Sequence, residues 1–199
     1  MISMRQILTA LVGSLLVGGI GLAPAFSAPK AAPGAHSRHE AKPAAATAGS
    51  AEPTLLGQYG AWGAYTASPN GKKVCFALAK PSSSKTNPPN RPRDPAYAFI
   101  STRPSEKVAN EVSVMIGYPL KPGSEATLEV GGASYEMYTQ GDGIWIKNAA
   151  EEDRMVDAMR KGADVTVKGV SSRGTQSIDV FSLKGLSQAL DKVAQDCKR

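Results

Sequence analysis

From about residue 55 onward, apolar and polar residues alternate along the chain, and turn-forming residues interrupt the alternation about every eight to twelve positions. Alternation with a period of two places successive side chains on opposite faces of a strand. The pattern predicts about nine strands, at residues 60–66, 72–80, 96–102, 111–116, 126–130, 134–140, 143–147, 164–170 and 176–181.

The apolar positions of these strands predict the residues that face the core. They are Val112, Val114, Ile116, Leu128, Val130, Ile144, Ile146, Val165, Val167, Ile178 and Val180. Most strands follow one another through short turns such as Gly131-Gly132 and Arg173-Gly174, without a helix between them, which favours antiparallel pairing. We therefore expect a mainly β protein, an antiparallel β-sandwich or barrel-like domain with one inserted helix and a C-terminal helix.

Two segments change from strand to helix periodicity. Asn148 is a suitable N-cap for a helix over residues 149–161, which has acidic residues at its start and basic residues at its end. The second helix is predicted from residue 183 to about residue 196. Its apolar residues recur at spacings of three and four and form one stripe, made of Leu183, Leu186, Leu190, Val193 and Cys197.

The first 54 residues differ from the rest in composition. Residues 1–27 have a basic start, an apolar run and small residues at the end, which is typical of a secretory signal peptide, although an uncleaved membrane anchor is the alternative. Residues 28–54 are rich in Ala and Pro and predict a flexible linker. The linker carries His36 and His39, whose spacing suits a metal ion, but a solvated pair is the simpler interpretation.

Cys75 and Cys197 are the only cysteines of the chain, and an exported protein meets an oxidising compartment. Cys75 shares its strand face with Ala77 and Ala79, which are small enough to let a helix approach closely. We therefore predict a disulfide that holds the C-terminal helix over this strand, with two unpaired buried thiols as the alternative. Closing so long a loop stabilises the fold by about 4 to 5 kcal/mol in the chain-entropy model.

The composition excludes several classes of enzyme. Residues 54–199 contain no histidine, so Ser-His-Asp and Cys-His catalytic systems are excluded, and neither a phosphate-binding glycine loop nor a cofactor site is indicated. Paired carboxylates remain possible acid-base catalysts. The net charge of +6 suits contact with an anionic envelope polymer or, peripherally, a membrane surface, while export argues against nucleic acid as a ligand.

One segment is a candidate for partner binding. Residues 81–95 form a Pro-rich connection that contains Lys85, Arg91 and Arg93. Arginine side chains bind carboxylates and phosphates, and prolines keep a chain extended, although a long solvated loop is the plainer interpretation. Trp62 and Trp145 also suit stacking on sugar rings, but one buried tryptophan is common in a small β core.

Four stretches resemble the invasion-associated locus B family of exported alphaproteobacterial proteins. They are residues 60–65 (Gly-Ala-Trp-Gly-Ala-Tyr), 73–81 (Lys-Val-Cys-Phe-Ala-Leu-Ala-Lys-Pro), 91–97 (Arg-Pro-Arg-Asp-Pro-Ala-Tyr) and the ending that starts at 181–186 (Phe-Ser-Leu-Lys-Gly-Leu). The resemblance covers residues 55–199 and implies a small β-rich periplasmic, secreted or envelope protein with a role in host-cell invasion in pathogens. It carries no catalytic centre.

From these observations we expect a non-enzymatic exported protein, without cofactor or metal, that binds an envelope or host-cell protein or an anionic envelope polymer. Two alternatives remain open at this point. One is a carboxylate-dependent hydrolase of envelope glycans, and the other is a structural or chaperone-like periplasmic protein.

Overall fold

A computed structural model describes residues 52–198. The predicted signal peptide, nearly all of the predicted linker and the pair His36 and His39 lie outside the described residues. The interpretations of these segments therefore stay predictions.

Within the described residues, eleven antiparallel strands form a single sheet, and the mainly β, sandwich-like fold expected from the alternation is confirmed. The strands are β1 (Thr54–Tyr59), β2 (Trp62–Ala67), β3 (Val74–Ala79), β4 (Ser83–Asn87), β5 (Tyr97–Arg103), β6 (Val108–Met115), β7 (Ala126–Val130), β8 (Ala133–Gln140), β9 (Gly143–Ile146), β10 (Asp164–Val170) and β11 (Gln176–Ser182). Their order across the sheet is β1-β2-β3-β5-β6-β9-β8-β7-β10-β11-β4.

Two of these strands, β1 and β4, were not predicted, and they are the two edges of the sheet. β4 is an exposed, wholly polar strand inside the Pro-rich segment, where the sequence predicted a connection without strand structure. Polar edge strands discourage pairing with other chains, but they also lack the apolar alternation by which a strand is recognised. β1 lacks that alternation as well, since its sequence is Thr-Leu-Leu-Gly-Gln-Tyr.

The inward faces predicted for β6, β7, β9 and β10 are confirmed, since each apolar residue that was predicted to face the core there is at most 7% exposed. The prediction that Ile178 and Val180 of β11 face the core is wrong, since neither is buried. Ile178 is 41% exposed, whereas Ser177 and Asp179 are almost completely buried and share the inward face with Phe181. The face of β11 is inverted because a buried ion pair, described below, holds Asp179 inside.

Both predicted helices are present. α1 (Glu152–Lys161) follows a 3-10 turn, and Asn148 accepts a hydrogen bond from the amide of Ala150 at 3.2 Å, as expected of a cap. α2 (Leu186–Asp196) begins three residues later than predicted, and its apolar stripe is buried. Within the described residues, neither helix is long and apolar enough to cross a membrane.

The predicted disulfide between Cys75 and Cys197 is present, with a Cα–Cα distance of 6.0 Å and a sequence separation of 122 residues. α2 contacts β1, β2, β3 and β5. It packs on the small-residue face of β3, where Cys75, Ala77 and Ala79 are at most 1% exposed. The disulfide therefore joins the end of the last helix to β3, the strand over which the sequence predicted this helix to lie.

Candidate anion-binding groove

The buried carboxylate of Asp179 is the centre of a polar network at one end of the sheet. Arg93 donates to both of its oxygens, at 2.8 Å from Nη1 to Oδ2 and by a shorter contact from Nη2 to Oδ1. Ser84 donates from its hydroxyl to Oδ1 at 2.6 Å, from the neighbouring position on β4. The side chains of Arg93 and Asp179 are only 9% and 0% exposed, so water screens this pair weakly.

Arg93 also fixes the loop that follows β6. Its Nη1 donates to the carbonyl oxygen of Ile116 at 3.0 Å, and its guanidinium lies 5.8 Å from the centre of the Tyr118 ring. The hydrogen bond to Asp179 is the main reason why the pKa of Arg93 is raised above its ordinary value. Burial raises the pKa of Tyr118 above its ordinary value.

The chain around Arg93 is held close to the same loop by backbone contacts. The amide of Asp94 donates to the carbonyl of Gly117 at 2.9 Å. Gly117 has a φ of +83°, and a Cβ at this position would lie 2.0 Å from the carbonyl oxygen of Asp94. Only glycine fits this approach, which fixes the position of residues 92–94 against residues 117–119.

A groove of about 650 Å³ opens beside this network, and we call it the arginine groove. Arg91 and Arg173 are both exposed, and neither guanidinium is hydrogen-bonded or ion-paired with another described residue. Two unpaired guanidinium groups in one groove attract anionic groups, which they bind through several N–H donors at once. The residues that line the groove include Arg91, Pro92, Tyr118, Pro119, Arg173 and Thr175.

Arg173 occupies a tight turn between β10 and β11. The buried hydroxyl of Ser171 accepts hydrogen bonds from the amides of Arg173 and Thr175, at 3.3 and 3.0 Å. The amide of Ser172 donates to the carbonyl of Pro119 at 2.9 Å and ties the turn to the opposite wall. The backbone that carries Arg173 is therefore fixed, while its side chain is free to meet a ligand.

A second depression of about 580 Å³ adjoins the groove, and we call it the aspartate cleft. Pro92, Tyr118 and Pro119 line both depressions, so the two share one wall. Asp94 and Asp142 are the carboxylates that line the cleft. The carbonyl of Asp142 accepts from the amide of Ile116 at 2.9 Å, which anchors the turn between β8 and β9 beside the cleft.

The structure separates the three basic residues that the sequence singled out for partner binding. Arg91 lines the arginine groove, while Arg93 lines the cleft with its guanidinium already engaged by Asp179. Lys85 is exposed on β4, next to Ile178 of β11, and does not line the groove. Sequence reasoning missed Arg173, because it identified the residue only as part of a turn.

The two tryptophans occupy opposite environments. Trp62 is completely buried, and its indole N–H donates to the carbonyl of Ser182 at 2.8 Å. Trp145 is half-buried on the outer face of β9, where its ring stacks on Tyr138 with 5.6 Å between centres. Trp145 is therefore the tryptophan that is accessible for stacking on a ligand.

Comparison with known proteins identifies a family but no characterised relative. The family model described as invasion associated locus B (IalB) protein matches residues 62–194, which is more than half of the chain. No curated protein and no solved structure matches the chain. The matched region runs from the start of β2 to the C-terminal part of α2 and includes the residues of the groove and the cleft. The chain therefore belongs to the invasion associated locus B family.

Proposed function

We propose that this protein is exported to the cell envelope and acts without catalysis, by binding an anionic group of an envelope or host-cell partner in the arginine groove. The observation that carries the proposal is the pair of exposed, unpaired guanidinium groups of Arg91 and Arg173 in one groove. The rigid turn under Arg173 and the buried Arg93–Asp179 pair support it, since both hold the walls of the groove in place. A fixed site binds its ligand with a smaller loss of conformational entropy.

Binding to two defined polyanions, a uronic acid oligomer and polyglutamate, tests the role of the groove. We expect the double variant Arg91→Gln/Arg173→Gln to bind at least one of them at least about tenfold more weakly than the wild type, because two charge-assisted contacts are lost. Titration calorimetry at low salt measures the affinities, and added salt should weaken binding because the site is exposed.

Arg154 provides the matched control, since it is exposed on α1 and lines neither depression. Arg154→Gln removes a positive charge without touching the groove, and it should bind as the wild type does. Equal affinities of the double variant and Arg154→Gln, or no binding of either polyanion by the wild type, would contradict the proposal.

A second candidate function rests on the aspartate cleft. Asp94 and Asp142 line the same depression, and paired carboxylates are the catalytic groups of most glycoside hydrolases. If the protein is such a hydrolase, it should release reducing ends from envelope glycans, and Asp94→Asn or Asp142→Asn should abolish that release. Absence of any release by the wild type favours binding alone.

Export is the third part of the proposal and rests on the composition of residues 1–27. Intact-mass measurement of the protein recovered from the periplasm or medium should show a chain that starts after Ala25 or Ser27. Recovery of the full-length chain in the cytoplasm would contradict export.

A further inference from the structure

A row of aromatic side chains crosses the outer face of the sheet, and we call it the aromatic band. It consists of Tyr65, Phe76, Phe99, Tyr97, Trp145 and Tyr138. Residues opposite each other in the strand registers share one face of the sheet. Tyr65 lies opposite Phe76, and Ser113 lies between Phe99 and Trp145, which continues the row from β2 to β8.

The rings of the band form two groups in contact, one on β2, β3 and β5 and the other on β8 and β9, and Ser113 of β6 lies between the two groups. Tyr65 and Phe76 are stacked with 5.4 Å between ring centres and 13° between ring planes, and Phe99 follows at 5.9 Å from Phe76. Tyr97 lies 6.3 Å from Phe99, and Lys80 places its ammonium 5.6 Å from the Tyr97 ring centre.

Glycines beneath two of the rings let them lie along the sheet. The Trp145 ring comes within 2.5 Å of the place where a Cβ of Gly143 would stand, and the Tyr65 ring comes within 2.6 Å of the corresponding place on Gly63. A side chain at either glycine would push the ring away from the sheet. Both rings therefore offer a broad apolar surface close to the backbone.

None of the described helices covers this face. α2 packs on the opposite face of the same strands, the face that carries Cys75 and its disulfide. Tyr138 is 45% exposed, and the other members of the band are half-buried. The outer face thus leaves several neighbouring aromatic rings open to a partner.

The band reaches the aspartate cleft at the end of the sheet. Tyr97 of β5 pairs with Met115 of β6, which pairs with Gly143 of β9. Asp142 immediately precedes Gly143, and Gly117 follows Met115 by two residues. Both Asp142 and Gly117 line the cleft, which shares a wall with the arginine groove. The cleft therefore lies between the band on one side and the groove on the other.

From the adjacency of the band, the cleft and the groove we infer that the ligand is an acidic polysaccharide. This inference rests on the proposed function of the groove. Sugar rings have apolar faces that stack on aromatic rings, hydroxyls that donate to carboxylates such as Asp94 and Asp142, and acidic substituents that pair with arginine. Charge complementarity to the acidic substituents is confined to the arginine groove, since the carboxylates of the cleft suit hydroxyls and not acidic groups. A polypeptide polyanion such as polyglutamate has no hydroxyls to donate to these carboxylates.

The preference for a sugar is measured with a uronic acid oligomer and a polyglutamate chain that carries the same number of carboxylates. We expect the uronic acid oligomer to bind the wild type at least about tenfold more tightly. Trp145→Ala should lower its affinity to the level of polyglutamate and leave polyglutamate binding unchanged. Tyr138→Ala should act in the same direction, and its exposed position leaves the fold intact.

The results separate failure of this inference from failure of the proposed function. The double variant Arg91→Gln/Arg173→Gln could lower the affinity for both probes equally while the wild type shows no preference for the uronic acid oligomer. The groove would then bind anions, but the inferred ligand class would be wrong. If the double variant binds both probes as tightly as the wild type does, the proposed binding of anions in the groove is wrong, and so is the inference that rests on it. Self-association of the wild type that Trp145→Ala abolishes, without a preference for the sugar, would assign the band to a second copy of the chain and overturn the inference.

Discussion

Asp179 takes a position in β11 where an apolar residue would ordinarily complete the core. Its charge is tolerated because Arg93 and Ser84 satisfy both carboxylate oxygens. Burial of an ion pair adds little to stability when both partners are present, since desolvation offsets the attraction. Its effect here is geometric: it holds the connection from β4 to β5 and the loop after β6 against β11.

Removal of one partner should be far more costly than removal of a neighbouring surface charge. We expect Arg93→Ala to lower the free energy of unfolding by about 3 to 5 kcal/mol, because the charge of Asp179 would remain buried without a partner. Urea denaturation followed by tryptophan fluorescence measures the loss. The exposed Arg91 provides the control, and Arg91→Gln should change stability by less than about 0.5 kcal/mol.

The double variant Arg93→Met/Asp179→Leu separates the charge from the packing. Because it removes both charges, we expect it to recover most of the stability that Arg93→Ala loses. A loss below about 1 kcal/mol for Arg93→Ala would show that Asp179 does not depend on Arg93.

At the scale of elements, α1 completes the hydrogen bonding of β6. Pairing of β6 with β9 begins at Ser113, and the amide of the preceding residue, Val112, donates instead to the carboxylate of Glu152 at 2.8 Å. Glu152 stands in the first turn of α1, where a negative charge is favourable. A single side chain therefore joins the helix to the sheet at the point where a neighbouring strand ends.

Substitutions of Glu152 should distinguish the hydrogen bond from the charge. Glu152→Ala leaves the amide of Val112 without its acceptor and should lower the free energy of unfolding by about 1 to 3 kcal/mol. Glu152→Gln keeps an acceptor oxygen and should stay close to the wild type in a denaturant titration. Equal losses in both variants would show that the charge, and not the hydrogen bond, is what matters.

The carboxylate of Glu152 should also make the stability of the protein depend on pH. Burial raises the pKa of Glu152 in the folded protein above its ordinary value. The folded protein therefore holds the proton of Glu152 more tightly than the unfolded chain does. The resulting contribution to the free energy of unfolding is fully present below the unfolded-state pKa and is lost as the pH rises through the folded-state pKa. As the pH rises from about 4 to about 7, the wild type should lose stability relative to Glu152→Gln. An increase of the wild type's relative stability over this interval would contradict the assigned direction.

The sequence predicts correctly the strands in which the strand's own residues determine which face is buried. Alternation was sufficient for β6, β7, β9 and β10, because each has a fully apolar inward face. It failed at β11, where apolar Ile178 faces outward, because the inward position of Asp179 depends on an arginine from a distant segment. It also failed at β4, whose polar residues become a strand only by pairing with β11.

At the scale of the whole molecule, the disulfide closes nearly the entire domain. Cys75 lies in the third strand and Cys197 follows the last helix, 122 residues later. In the chain-entropy model a crosslink over such a loop stabilises the fold by about 4 to 5 kcal/mol, because it restricts the unfolded chain. The apolar stripe of α2 holds the same helix by packing.

Removal of the disulfide should therefore loosen the domain as a whole. We expect Cys197→Ser to lower the free energy of unfolding by several kcal/mol, up to about 4 to 5 kcal/mol, and to expose α2 to proteolysis. Chemical denaturation of the oxidised wild type and the variant measures this difference, and reduced wild type should resemble the variant. Unchanged stability would mean that packing alone holds the helix.

The proposed binding surface is a property of the whole fold. The sequence singled out Arg91 in a Pro-rich segment, but it gave no indication that Arg173 would lie in the same groove. The groove combines residues 88–92, 118–119 and 171–175, which only the sheet order brings together. Likewise, the aromatic band runs from β2, β3 and β5 across β6 to β9 and β8, and the pairing of β6 with β9 joins segments about 30 residues apart, so single aromatic residues did not reveal it.

Nuclear magnetic resonance with the uronic acid oligomer tests the continuous surface most directly. The two indole N–H signals separate an accessible tryptophan, Trp145, from a buried one, Trp62, that serves as an internal reference. We predict that the oligomer shifts the signals of Trp145, Arg91 and Arg173 together, at one common affinity, and leaves those of Trp62 and Arg154 in place. Shifts confined to other residues, or no shifts at all, would contradict the account.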